Sequence, residues 1–254
     1  MKISARDIDH LVFALSDPAL AANRLEQMGF TLTPDGTEPR CVCFAPHRDD
    51  IPSYLELAAG DAASVSLAMN VAELEGEERS HTWETEYGDQ LEVRTVVGEI
   101  QGPLPWSPVR NETPDFFSEP EWIVHPNGAL AMVAVHVVAD DPRTLARDLR
   151  LAWNGESEEI FDGCNLVKTG GVELLLWSPA AYQLEYKSVE AMAPEQRPTV
   201  VGLTLAVERA RPLQALLRAN NVPFGLADDS RTVVAPEQVG GLMIEFIPQG
   251  GAEA

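Results

Sequence analysis

The sequence predicts an α+β protein assembled from tandem β-α-β-β-β units, and two observations carry that reading. Residues 8–18 (IDHLVFALSDP) return in near copy as residues 132–142 (MVAVHVVADDP), each a short apolar run of strand character ending at an Asp-Pro that can open a helix. A third echo, VVGLTLAV at 200–207, is followed within a few residues by Pro212 and a helical pattern. Self-similarity at a period of roughly 50–70 residues signals a repeat architecture. The double-length gap between the first two copies predicts a fourth, degraded unit whose strand is VSLAMNV at 65–71, without the Asp-Pro. The units span 1–63, 64–122, 123–195 and 196–254, and they pair into two domains, 1–122 and 123–254.

In the first unit a strand near 7–15 precedes Asp17, a good N-cap, with Pro18 at the first helical position. Ala21, Leu25 and Met28 fall at helical spacing, and Gly29 can take the left-handed C-cap conformation. Extended segments follow near Thr31, at 41–44 and at 54–58. The third unit repeats the order: strand 131–139, a helix opened by Asp141-Pro142 with Leu145 and Leu149 on one face, Gly155 near its end, and strands near Leu166 and 172–177. The fourth has strand 200–207, helical positions Leu213, Leu216 and Leu217, a stop at Asn220-Asn221, and strands near Thr232 and 242–247. In the second unit the helix is short or lost, 90–97 reads as a strand, and 103–120 as a long proline-rich connection. A boundary between halves falls near 115–128, closing on the Pro126-Asn127-Gly128 turn.

The chain has 254 residues, 45% of them hydrophobic, enough for real cores. No apolar run reaches the length of about 18 residues that crosses a bilayer, and the N-terminus leads into charge rather than a signal segment, so a cytoplasmic, unexported protein is expected. Forty acidic against 18 basic residues give a net charge of −22, which repels phosphate backbones and anionic lipid and excludes nucleic-acid and membrane partners. The acidic runs at 73–78 and 84–92 lack the Gly-centred spacing of a calcium loop and read as a solvated face. Cys41, Cys43 and Cys164 make no disulfide framework, and by the period-two rule Cys41 and Cys43 face one side of a strand as a packed pair rather than a zinc or redox site. Trp83, Trp106, Trp122 and Trp177 are read as core or inter-half packing before pocket lining. His47 and His81 are read in polar, looped stretches, and His125, before the Pro-Asn-Gly turn, is read as positioning backbone.

A Glu stands between apolar neighbours near the end of each unit: Glu56, Glu92, Glu173 and Glu245. A charge inside an otherwise buried-looking strand is a local conflict of the kind that clusters at functional sites. With His10 on the first strand and Glu56 on the last, the tandem units resemble the vicinal oxygen chelate superfamily, which includes glyoxalase I, extradiol ring-cleaving dioxygenases and bleomycin-resistance proteins. The IDHLVFA run at 8–14, Gly29-Phe30, the YLEL run at 54–57 and the HPNGA run at 125–129 are similar to its glyoxalase-like branch.

The resemblance implies that paired units curl into two half-open, barrel-like sheets and that a divalent metal (Fe, Mn, Ni, Co or Zn) is held by first-strand His or Gln and last-strand Glu residues. His10 and Glu56 match two such positions. Laying the units on one another by their Asp-Pro pairs sets Ser66, Ala134 and Gly202 opposite His10, with Glu92, Glu173 and Glu245 opposite Glu56; His136, two residues beyond Ala134, shares its strand face. The expected metal ligands are therefore His10, Glu56, His136 and Glu173, with Glu92 and Glu245 as catalytic carboxylates. The implied function is binding of a small organic molecule in a sheet-lined cavity, with metal-dependent lyase, isomerase or dioxygenase chemistry on adjacent oxygens. The competing expectation is a metal-free binding protein of the bleomycin-resistance kind. A duplicated scaffold can also serve as a dimerisation module, so a homodimer is a further expectation.

Overall fold

The computed structural model describes residues 5–37, 39–45, 52–84, 90–190, 193–227 and 231–249. The first half runs β1 (Ala5–Leu15), α1 (Pro18–Gln27), β2 (Arg40–Phe44), β3 (Ser53–Ala59), β4 (Ser64–Val71), β5 (Glu77–Glu84), β6 (Gln90–Val97) and β7 (Trp106–Asn111), followed by a 3-10 turn and the short α2 (Pro120–Ile123). The second runs β8 (Ala129–Val138), α3 (Pro142–Trp153), β9 (Glu156–Phe161), β10 (Cys164–Lys168), β11 (Glu173–Trp177), α4 (Pro179–Glu185), β12 (Thr199–Val207), α5 (Ala210–Ala219), β13 (Gly225–Leu226), β14 (Thr232–Val234) and β15 (Met243–Pro248). The strands form two mixed sheets, ordered β2-β3-β1-β4-β7-β6-β5 and β13-β14-β15-β12-β8-β11-β10-β9. In each, the first strands of two units pair antiparallel at the centre, β1 with β4 and β8 with β12, and each first strand is flanked by the last strand of its own unit in parallel. This is the tandem α+β architecture that the repeats predict.

The helix signals act as expected. Asp17 and Asp141 accept from the backbone N–H of Leu20 and Thr144, each followed by a proline. Gly29 takes φ +82°, and a side chain there would meet Leu216 and Asn127 at 3.0–3.1 Å, so the exit of α1 requires glycine twice over. The α3 exit falls on Asn154, left-handed at φ 56°, one residue before the expected Gly155.

Several strands depart from expectation. The segment near Thr31 forms none: Thr33 donates one bond to Cys41 before Pro34 and Gly36 turn the chain. Among the described residues of unit two no helix follows its first strand, and its closing strand is not 90–97 but β7, inside the stretch that reads as a connection because Pro108 sits mid-strand. β9 is solvent-exposed along its whole length and β13 is two residues long, so neither leaves a hydrophobic alternation to read. His81, expected in a loop, lies on β5, where it pairs with Val93 of β6. Residue His47, the side chain of Trp83 and residues 85–89 of the acidic run lie outside the described residues.

Alternation on the central strands separates two environments. Leu11, Phe13, Val135, Val137, Leu203 and Leu205 point to one core that joins the halves, shared with Leu25 of α1, Leu149 and Trp153 of α3, and Leu213 of α5. Trp106 meets Trp153 edge-to-face at 5.8 Å, covering β7 where unit two lacks a helix. His10, Val12, His136 and Thr204 point the other way, into the concave faces. Cys41 and Cys43 are both fully buried under one aromatic cluster with Tyr54 and Phe117, as a packed pair. Among the described residues no helix is long and apolar enough to cross a membrane.

Polar clasps join the halves. Asn127 donates to the carbonyl of Met28 and Asn220 to that of Gln27, closing orphan carbonyls at the end of α1. Asp7 accepts from the backbone of Gly171 and Val172 at 2.5 and 3.2 Å. His125 accepts from the Thr31 N–H at 3.0 Å through Nδ1 and donates to the Cys43 carbonyl at 2.8 Å through Nε2, so its backbone-positioning role is realised between the α1 exit and β2.

Burial lowers the His125 pKa from 6.5 to about 4, against the raising effect of the Cys43 bond. The unfolded chain then takes up this proton near 6.5 and the folded chain only near 4, so the neutral ring contributes its full stability above about pH 6.5 and loses it as pH falls toward 4. Urea unfolding should show the stability gap between the native protein and His125→Gln shrinking by roughly 3 kcal/mol over that window. Parallel pH profiles for the two proteins would refute the clasp.

Candidate functional site

The concave face of the first sheet encloses a cavity of about 720 Å³, lined by residues of β1, β3, β4, β5, β6 and β7. At its floor, the β1 ladder skips a residue between Ile8 and His10, a bulge that brings Asp9 and His10 side by side. Asp9 Oδ1 lies 2.6 Å from His10 Nδ1, and Asn70 donates to the other oxygen, Oδ2, at 3.3 Å. With Nδ1 donating to this buried carboxylate, Nε2 is the ring atom left for the cavity, and it stands 3.7 Å from Glu56 Oε2. The imidazole is stacked on Tyr54 at 4.3 Å, which in turn stacks on Phe117 at 3.9 Å. Burial, with the negative charges of Asp9 and Glu56 among its neighbours, pushes the Tyr54 phenol well up.

The concave face of the second sheet is filled by its own chain. Ser178 caps α4, with Pro179 opening it, and the helix lays Tyr182 over the sheet, with Tyr186 one turn further on. Tyr186 meets His136 edge-to-face at 5.6 Å, and the Tyr182 hydroxyl reaches Met243 Sδ at 3.7 Å. Trp177 Nε1 donates to His136 Nδ1 at 3.1 Å; since indole only donates, the ring proton sits on Nε2, which donates to Thr204 Oγ1 at 2.6 Å. Thr204 donates to Glu245 Oε2 at 2.6 Å, and Arg231 to Oε1 at 2.8 Å. Arg231 also pairs with Glu185 at the end of α4. Burial pushes the Glu245 carboxyl up, but His136, Thr204 and Arg231 together outweigh it and hold it below its ordinary value.

The ladder also defines which residues are equivalent. Glu56 pairs with Val12, two residues beyond His10, and Glu245 pairs with Thr204, two beyond Gly202. The same step lands on Leu175 in unit three, beside His136, and on Ser107 in unit two, beside Ala68. Glu173, expected opposite Glu56, is shifted by two residues and pairs with Ala134. Glu92, expected to close unit two, is an exposed residue of β6, bonded to Ser80 and Arg94, while its neighbour Val93 lines the cavity. The structure therefore brings His10 together with Glu56, and His136 together with Glu245, and leaves Glu92 and Glu173 apart from both pairs.

A glyoxalase-like domain family matches residues 8–110. No curated protein matches the chain. Solved structures similar to it include the Mn(II)-bound glyoxalase from Novosphingobium aromaticivorans, at TM-score 0.59 and 8% identity over 96% of this chain and 82% of that one. A variant of homoprotocatechuate 2,3-dioxygenase from B. fuscum gives TM-score 0.60 and 9% identity over 99% and 74%. A xylose isomerase-like TIM barrel/4-hydroxyphenylpyruvate dioxygenase fusion protein gives 0.52 and 10% over all of this chain, which spans 51% of the fusion. The chain has the vicinal oxygen chelate fold.

On this fold the ligand positions that the resemblance implies are occupied by His10, Glu56, Ser66 and Ser107 in the first half, and by Ala134, Leu175, Gly202 and Glu245 in the second. One imidazole, one carboxylate and two neutral hydroxyls are a poor set for Mn, Fe, Ni, Co or Zn, which take at least three strong protein donors in such sites. The second set offers a single carboxylate. Among the described residues no three His, Cys, Asp or Glu side chains lie close enough to share an ion. The residues present do not fit a resident divalent metal. Asp9, Asn70, Thr204 and Arg231 escaped the sequence reading, although Asp9 stands beside His10, and α4 was signalled by its Ser-Pro start and Tyr182-Tyr186 spacing.

Thr204 is the bridge on which the second-half network depends. Thr204→Val keeps its shape but leaves His136 and Glu245 each short of a buried hydrogen bond. Denaturant unfolding should register a loss of roughly 1–3 kcal/mol. An unchanged midpoint would show that the two groups satisfy each other directly.

Proposed function

We propose that the protein binds a small organic molecule in the cavity of its first sheet, independently of a resident divalent metal, and that the second sheet is its scaffold. The observation that carries this reading is the contrast between two equivalent concave faces: one open over about 720 Å³, within the usual range for small-molecule sites, the other closed by Tyr182 and Tyr186. The donor set of His10, Glu56, Ser66 and Ser107 suits hydrogen bonding to an organic ligand better than metal coordination. On this reading residues 1–122 form the ligand-binding domain and 123–254 the supporting one. The net charge of −22 favours a small-molecule partner over nucleic acid.

One observation favours turnover as a second reading. Asp9 holds His10 Nδ1 and turns Nε2 toward the cavity beside Glu56, an arrangement suited to moving a proton on a bound substrate without a Lewis acid.

Fragment screening by NMR on chelator-stripped protein should give perturbations centred on His10, Val93 and Val109, abolished in Ala68→Phe, which fills the cavity. Calorimetric titration with Mn(II), Fe(II) or Zn(II) should give the same heats for the native protein and His10→Ala. A one-to-one metal site lost in His10→Ala, or ligand binding that appears only with metal, would overturn the proposal.

A further inference from the structure

The floor of the open cavity presents His10 Nε2 and Glu56 Oε2 with no hydrogen bond between them. His10 Nδ1 is taken by Asp9, which turns Nε2 toward the cavity, and Glu56 Oε2 stands 3.7 Å away, beyond hydrogen-bond range. Neither group satisfies the other. Among the described residues no Lys or Arg is paired with Glu56.

The cations along the lining do not remedy this. Arg40 is paired with Glu26 and Asp35, and Arg79 with Glu77. The floor is also electronegative beyond Glu56: Asp9 lies behind the imidazole, and the carboxylates of Asp9 and Glu56 are felt by both the Tyr54 phenol and the Cys41 thiol, which burial already pushes up. A buried imidazole beside a half-buried carboxylate in a negative field is completed by a group that brings at least two N–H donors and a positive charge.

The equivalent carboxylate in the second half shows what completes such a site. Glu245, at the position equivalent to Glu56, receives the Thr204 hydroxyl and the Arg231 guanidinium, two donors and a cation supplied by the chain itself. Glu56 has neither. Beyond the floor the cavity wall is apolar at Val12, Ala68, Val97 and Val109, so the remainder of the ligand is a hydrophobic body.

Building on the reading of the cavity as a ligand site, we propose that its ligand class is a protonated amine on an apolar body, with the ammonium donating to His10 Nε2 and Glu56 Oε2 in the place that Arg231 takes beside Glu245.

The test compares three probes of one shape, benzylamine, benzyl alcohol and benzoate, by NMR titration at neutral pH with chelator present, following His10 and the cavity-wall methyls. Benzylamine should bind roughly tenfold or more tightly than the alcohol, as expected of a charge-assisted hydrogen-bond pair, and benzoate most weakly. Glu56→Gln should remove the amine's advantage and leave the alcohol's affinity within about twofold, with the thermal melt confirming that the variant folds. Should that variant fail to fold, His10→Gln, which exchanges the acceptor for an amide, is expected to reduce the amine preference by a smaller factor. Equal binding of amine and alcohol, or a preference for benzoate, overturns the amine assignment while leaving the cavity as a binding site. Failure of all three probes to bind the cavity overturns both readings.

Discussion

The register between the first strands of paired units governs the rest of the structure. Because β1 lies antiparallel to β4 and β8 to β12, every second residue on four central strands faces a core shared by both halves, and the alternate residues face a concave surface. A slip of one residue would send Leu11 and Phe13 into the cavity and His10 into the core. Burial of such side chains contributes about 1.5–3 kcal/mol each, so the hydrophobic set holds the polar set in place. The site is thus a by-product of the core's register, fixed before any ligand is considered.

Given the same central pairing, the halves diverge through what covers them. In the second, the connection between units three and four folds back as α4, and its tyrosines make the concave face interior. Every polar group left there then needs a partner, and the chain from Trp177 through His136 and Thr204 to Glu245 and Arg231 provides one for each. In the first half the covering segment, with Phe116, Phe117 and Trp122, packs over β2 and β3 and leaves the rest of the face open. Water or a ligand can reach His10 and Glu56 there, so their polar demand need not be met by protein. The difference between the closed and the open face is a difference in where one connection lands.

Much of this was legible in the sequence, and the parts that were not share a physical reason. Helix starts at Asp17-Pro18 and Asp141-Pro142 and the glycine at 29 rest on local chemistry or on repeat spacing, both visible in one chain, whereas the His10–Glu56 pairing rests on the resemblance to the superfamily. The carboxylate positions of units two and three were misplaced, by a different failure in each. Glu92 occupies a plausible motif, but β7 lies behind Pro108, and no local signal distinguishes a proline tolerated in a central strand from one that ends it. Glu173 is displaced by two residues, a register shift that keeps the side chain on the same face and so leaves the alternation unchanged. α4 was missed because a seven-residue helix is too short for periodicity to separate it from a loop.

The two last-strand carboxylates that stand beside a first-strand polar group, Glu56 and Glu245, are accommodated in different ways. A carboxylate held there sits where burial is costly, so it is stabilised by exposure or by a cation. Units two and three carry Ser107 and Leu175 at the equivalent positions and face no such demand. Glu245 is buried and takes the cation, bound to Arg231, which also anchors Glu185 and with it the end of α4. The arginine that neutralises Glu245 therefore also holds the helix that closes the second concave face. Glu56, with its side chain 25% exposed, takes the other course: beside a His10 oriented by Asp9 it keeps its contact with the cavity, where solvent or a ligand can reach it.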